Sequence, residues 1–325
     1  MGCDDSVKVT DVTGSDDITI EYPCLASVDD CLNSLEIKEG NFNFFSSFHI
    51  DSSSNVRGAI ITIHGNSRNA DDYFDKMISI VSAQGIKDDV MVIAPKFIAS
   101  TDQHSDTDWY WNTLSWKWGN QSYSSDINSE NVSTFELVDS LLNKITNKDF
   151  FPDLSDILIT GHSSGAAFVQ RYSLTKENNV FNNVRLHFSV VNNQYFMHPD
   201  STRMHSDGSL SFIEDCNIYN KWPEGFDDLN PYMDQIGEED AYNNFFSNQV
   251  DYFIAENDTE TSGISSGCQY EFLGSNRYEK NINFMSYLDL IFPDNEHELV
   301  IIPGLGHTTN TYSSTIFTEY INSIF

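Results

Sequence analysis

The stretch Asp156-Ile-Leu-Ile-Thr-Gly-His-Ser-Ser-Gly-Ala-Ala-Phe168 decides how this chain is read. A short apolar run leads into Gly161-His-Ser-Ser-Gly165, and a run with the look of a helix follows. G-x-S-x-G between a strand and a helix puts the central serine at the tip of a sharp, strained turn. Ser163 is therefore a candidate nucleophile. Side chains two positions either side of it would collide across so tight a turn, which is why Gly161 and Gly165 stand there. Ala166 and Ala167 keep the first helical turn slim. The helix N-terminus behind Ser163 favours negative charge developing beside it. Three fixed positions also describe an ordinary Gly-rich turn, so the reading rests on the rest of the chain.

Working outward, Gly58–Ile63, Asp89–Ala94 and Arg185–Val191 are apolar, β-branched runs that predict buried strands. Val250–Ala255 and Leu299–Ile302 predict two more, and Asp17–Tyr22 with Asn41–Ile50 an early antiparallel pair. Apolar residues at helical spacing predict helices over Asn69–Ala83, Ser133–Ile145 and Thr311–Phe325, and Ser133 with Glu136 has capping-box spacing. Strands alternating with helices predict an α/β fold, a mostly parallel central sheet with helices on both faces. Residues 1–16 read as a disordered linker. Residues 17–325 read as one domain carrying insertions at 101–129 and 196–246.

The chain has 325 residues and is 39% hydrophobic, enough to bury a large core. No apolar run approaches the ~20 residues that span a bilayer. With 49 acidic and 17 basic residues the formal net charge is −32, which argues against nucleic acid and anionic membrane surfaces as partners. Of five cysteines, Cys3 stands apart in the opening Met1-Gly-Cys-Asp-Asp-Ser6. The other four allow three pairings, of which Cys24–Cys31 with Cys216–Cys268 is preferred over free thiols. Gly2-Cys3 fits the end of a bacterial lipobox with the signal removed, and also the myristoylation pattern M-G-x-x-x-S. Myristoyl anchors usually recruit a basic patch and none is present, so the expectation is an exported protein with Cys3 as a lipidation site.

A serine nucleophile needs a base and an acid partner, placed in loops at the carboxyl ends of strands. The strand Asp251–Glu256 is followed by Asn257-Asp258-Thr259, which puts Asp258 where the acid belongs, with Glu256 and Glu260 as competitors. The strand Leu299–Ile302 is followed by Pro303-Gly-Leu-Gly-His307, and the two glycines let the loop carry His307 back over the sheet. His307 can take the Ser163 proton near neutral pH, while Asp258 holds its tautomer and stabilises the imidazolium. An oxyanion hole would combine the Ser164 N–H with the Asn66 N–H of His64-Gly-Asn-Ser-Arg-Asn69.

With these residues in place the chain resembles the α/β-hydrolase superfamily over roughly residues 56–325. The resemblance rests on His64-Gly65, Gly161-x-Ser163-x-Gly165, Asp258 and His307 in that order. It implies a serine hydrolase working through an acyl-enzyme, with no metal and no organic cofactor. Carboxylic esters, small or polymeric, are the expected substrates. The same groups serve an amide or peptide hydrolase, and a catalytically silent binding protein on this fold would have lost one of them.

Two further features bear on substrate. Trp109-Tyr-Trp-Asn-Thr-Leu-Ser-Trp-Lys-Trp118 holds four of the five tryptophans. Trp109, Trp111 and Trp116 are candidate substrate-binding residues, as an aromatic wall or a docking patch for an insoluble ester, or else a self-packed loop. His162, inside the turn with its side chain directed away from the nucleophile, is grouped with them. The 196–246 insertion is expected to cap the site, tied by Cys216–Cys268 to the loop beyond Asp258.

Overall fold

The computed structural model describes residues 22–123, 130–177, 181 and 184–325. Cys3, the 1–16 linker and residues 17–21 of the expected first strand lie outside the described residues, and Tyr22 is in no strand.

Eight strands form the central sheet. In chain order they are β1 (Leu32–Ile37), β2 (Gly40–Ser46), β3 (Gly58–Ile63), β4 (Val90–Pro95), β7 (Asp156–His162), β8 (Arg185–Val191), β11 (Val250–Ala255) and β12 (His297–Ile302). Two small ladders account for the remaining strands. One pairs β5 (Ile98–Ala99) with β6 (Tyr110–Trp111), and the other pairs β9 (Arg203–Met204) with β10 (Leu210–Ser211). The central order is β1-β2-β4-β3-β7-β8-β11-β12. β2 runs antiparallel to β1 and β4, and every pair from β4 to β12 is parallel.

The period of two along each strand sorts the core into two layers. Ala59, Ile61 and Ile63 of β3 face one layer and Ile60 the other; Ile157 and Ile159 of β7 oppose Leu158 in the same way. Helices α1 (Ala70–Ala83) and α7 (Thr315–Ile324) cover one face. Helices α2 (Thr134–Ile145), α3 (Ser164–Tyr172), α5 (Glu238–Ser247) and α6 (Arg277–Ile291) cover the other, with the short α4 (Pro231–Ile236) leading into α5. Because both faces are covered, β3, β4 and β11 are buried along their whole length, which explains their mostly apolar sequences. Ser133 caps α2 in the expected capping box with Glu136.

Both expected disulfides are present, Cys24–Cys31 and Cys216–Cys268. Such bonds persist in oxidising compartments and fit an exported protein. No helix among the described residues is long and apolar enough to cross a membrane.

Of the two readings of the tryptophan segment, the aromatic wall or docking patch and the self-packed loop, the structure matches the second. Trp109, Trp111 and Trp116 are at most 2% exposed and belong to the main core. The indole N–H of Trp109 donates to the Ile37 carbonyl and that of Trp111 to the Asn120 carbonyl, both at 2.9 Å. Trp116 packs against both Phe97 and His64, with ring centroids 5.6 and 4.6 Å away, and those two rings also touch each other. Indoles held this way have no face left for an insoluble polymer.

The 196–246 segment also differs in part from a simple cap. Its last stretch is α5, the crossover helix that every parallel strand pair needs, here feeding β11. The remainder is fastened to the helix behind Ser163 and to the strap at 115–119. Arg171 of α3 donates to the Pro223 carbonyl at 2.9 Å, and Trp222 Nε1 donates to the Trp118 carbonyl at 2.9 Å.

Candidate active site

Ser163 sits between β7 and α3 with φ +59° and ψ −113°, a conformation that costs an ordinary residue of order 1–3 kcal/mol and persists only when its surroundings force it. The surroundings are tight. A Cβ on Gly161 would lie 2.2 Å from the Gly165 carbonyl oxygen, and Gly165 presses in turn against the end of β3. The Ser163 N–H is taken by the Val191 carbonyl of β8 at 2.9 Å. The close approach of Gly165 to Ile63 and His64 sets the elbow beside the His64–Arg68 loop.

Two loops bring the other members to Ser163. After β11 and β12 the chain is zipped by the Glu256 N–H on the Ile302 carbonyl and the Asn257 N–H on the Leu305 carbonyl. Gly304 turns with φ +73° and delivers His307. His307 Nε2 lies 3.1 Å from Ser163 Oγ, and His307 Nδ1 lies 2.8 Å from Asp258 Oδ2. Asp258 can only accept, so the imidazole carries its proton on Nδ1 and leaves Nε2 free to receive the serine hydroxyl. Glu256 is spoken for elsewhere, accepting from the Gly304 N–H at 2.9 Å, and Glu260 is exposed.

Asp258 is fully buried, and burying a carboxylate is costly unless it is paired. Arg277, the first residue of α6, stands against it with Nη1 3.5 Å from Oδ1, and the Tyr278 N–H donates to the Asp258 carbonyl at 3.1 Å. Burial lowers the Arg277 pKa and Asp258 opposes that shift.

The loop carrying Asn66 is held from behind. His64 Nδ1 donates to the Gly65 carbonyl at 2.9 Å, and the Arg68 N–H reaches the same carbonyl at 3.1 Å. A trans peptide points its N–H opposite to its C=O, so pinning the Gly65 carbonyl fixes the direction of the Asn66 N–H. His64 Nε2 accepts from the Phe97 N–H at 3.1 Å, and burial pushes its pKa down to about 4, so the ring is neutral. Arg68 (φ +55°) then grips Asp102 with two N–H groups at 2.5 and 2.8 Å and donates to the Asn66 carbonyl at 2.7 Å. Ser164, the other expected donor, begins α3.

His162 lies behind the site and does not line it. It is 4% exposed, bonded to Tyr73 and Asn192. Asn192, Arg277, Tyr73 and the Arg68–Asp102 clamp were not among the residues expected from sequence, because each matters through partners more than 18 residues away.

No protein-family model matches the sequence, and no curated protein matches it. Solved structures do. The chain is similar to LpqC, a poly(3-hydroxybutyrate) depolymerase from Bordetella parapertussis, with 19% identity, TM-score 0.63 and 90% of each chain covered. It is also similar to poly(aspartic acid) hydrolase-1 from Sphingomonas sp. KT-1, with 14% identity, TM-score 0.57, and 90% of this chain and 97% of that chain covered. The strand order, the elbow and these likenesses define the fold as that of the α/β-hydrolases, the fold the sequence resemblance implied.

Proposed function

We propose that the protein is a serine hydrolase that cleaves carboxylic esters through an acyl-enzyme. The observation that carries this is the unbroken hydrogen-bonded chain from Ser163 Oγ through His307 to the buried Asp258, at the tip of a strained elbow. His307 Nε2 takes the hydroxyl proton as Ser163 Oγ attacks the ester carbonyl. The imidazolium that forms faces Asp258, and the tetrahedral oxyanion is met by the N–H groups of Asn66 and Ser164, each such donor being worth ~10²–10³ in rate. Collapse breaks the C–O bond, and the alcohol leaves with the proton from His307. Water repeats the sequence and frees the acid.

The same groups attack an amide, so the substrate panel should contain both. It should include soluble p-nitrophenyl esters, films of poly(3-hydroxybutyrate), the polymer named for the Bordetella structure, and matched amides. Export to the periplasm, the cell surface or the medium is part of the proposal, with a lipid on Cys3 as a tether.

The deciding experiment is covalent labelling by a fluorophosphonate alongside ester turnover. Wild type should be labelled on Ser163, and Ser163→Ala should lose the label and about 10⁴-fold or more of kcat. An unlabelled wild type, or a label that survives Ser163→Ala, sinks the proposal.

A further inference from the structure

A second imidazole lies directly behind the His307 ring. The His162 ring centroid is 4.8 Å from that of His307, with 27° between the planes. The hydrogen bonds around His162 fix where its proton sits. The Ala255 N–H donates to Asn192 Oδ1 at 2.9 Å, so the other end of that amide is the donor. The Thr311 hydroxyl donates to the Thr308 carbonyl at 2.8 Å, and it therefore receives one amide hydrogen of Asn192, at 3.1 Å. The second amide hydrogen faces His162 Nε2, 3.3 Å away, which makes Nε2 the unprotonated nitrogen. The proton is then on Nδ1, which donates to the Tyr73 hydroxyl at 3.1 Å. Burial pushes His162 well below the usual histidine range, and Arg277, with His307 whenever it is charged, acts in the same direction. The remaining titratable neighbours are the phenols of Tyr73 and Tyr312, both pushed up by burial and so uncharged. Asn192 is fully buried, held at φ +52°, and anchored by its own N–H on the Phe253 carbonyl at 2.8 Å.

We propose that His162 is a positioning residue, a neutral aromatic shelf on which the His307 ring is seated between Asp258 and Ser163, and that Asn192 keeps the shelf unprotonated. The inference rests on the ester-hydrolase reading of Ser163, His307 and Asp258. During turnover His307 becomes a cation. A neutral ring face against it is attractive, whereas a second imidazolium at that distance would repel it. The interaction strengthens only as the charge forms, so it belongs to the transition state and not to substrate binding.

Three variants and two readouts test this. His162→Ala removes the shelf. His162→Phe restores a flat face that cannot be protonated. Asn192→Asp replaces the donor facing Nε2 by an acceptor and allows the ring to charge. On a soluble p-nitrophenyl ester, His162→Ala should lose about 10- to 10²-fold in kcat with KM little changed, and His162→Phe should recover most of it. Asn192→Asp should lose activity more steeply than wild type as the pH falls. The second readout is the downfield proton resonance of the His307–Asp258 hydrogen bond, which needs no substrate. It should be sharp in wild type and His162→Phe and broadened or absent in His162→Ala. Wild-type kcat in a folded His162→Ala variant overturns the proposal, as do equal losses in the Ala and Phe variants with the resonance unchanged. If the ester reading itself fails, wild type is inert and unlabelled while the resonance still responds to His162→Ala.

Discussion

A methyl group added to Gly165 would sit 2.2 Å from the Ile63 carbonyl oxygen and 2.7 Å from that of His64. Both are backbone atoms of a buried strand end and cannot swing aside as a long side chain would. Gly165→Ala is therefore expected to lower stability by about 1–3 kcal/mol in urea unfolding, the usual range for overpacking. Ester turnover should fall with it, because the loop pushed away is the one that carries Asn66. A variant with wild-type stability and turnover would mean that the elbow is looser than its contacts. At this scale the sequence was informative where position in a pattern carried the meaning. Ser163, Asp258 and His307 each follow a strand, so sequence order alone picks them out as candidates, and the structure brings their side chains within hydrogen-bond distance. Asn192 and Arg277 could not. Nothing local marks Asn192 as joining β8, β11, the elbow and the turn at Thr311, or Arg277 as facing a carboxylate 19 residues earlier in the chain.

Among elements, the strands were more legible than the helices. The strands β3 and β4 are mainly apolar because both faces of the sheet are covered there, and even the half-exposed edge strand β12 keeps the apolar run Leu299–Ile302. Helix α6 escaped notice because its buried face includes Arg277, Lys280 and Asn281, which break the apolar spacing. Its polar residues are used: Asn281 Nδ2 donates to the Asn193 carbonyl at 2.8 Å, beside the site. β1 escaped for a different reason, being a half-exposed edge strand with no apolar run. The tryptophan segment left two readings open, because clustering of indoles in a polar stretch says nothing about which way they face, and burial in the core favours the self-packed one. The two disulfides act on very different lengths of chain. Their partners are 7 and 52 residues apart, so chain-entropy estimates assign about 2 and 4 kcal/mol to them. Thermal unfolding should accordingly drop further for Cys216→Ser/Cys268→Ser than for Cys24→Ser/Cys31→Ser. The reverse order would show that the short loop organises more than itself.

For the whole molecule, buried neutral histidines set the acid limit. Burial depresses His64 and His297 to about 4, against 6.5 for the exposed ring. The unfolded chain takes up these protons first, so the stability they contribute is complete above pH 6.5 and is lost as the pH falls toward 4. Each ring accounts for on the order of 3 kcal/mol over that window. Buried His162 and His198 shift in the same direction. Urea midpoints measured from pH 8 to pH 4.5 should stay level down to about 6.5 and then decline. A flat profile to pH 4.5 would place these rings in water.

The Cys216–Cys268 bond encloses α4, α5, β11 and Asp258, while Ser163 and His307 lie outside it on either side. A protease that cuts one surface peptide within that span produces two polypeptides that stay joined. On a gel run without reductant the cut molecule should migrate as a single species, and with reductant as two. The serine would then be on one piece and the histidine on the other. Whether the nicked protein still takes up a fluorophosphonate will show how far the sheet alone can hold the site together once chain continuity has been lost.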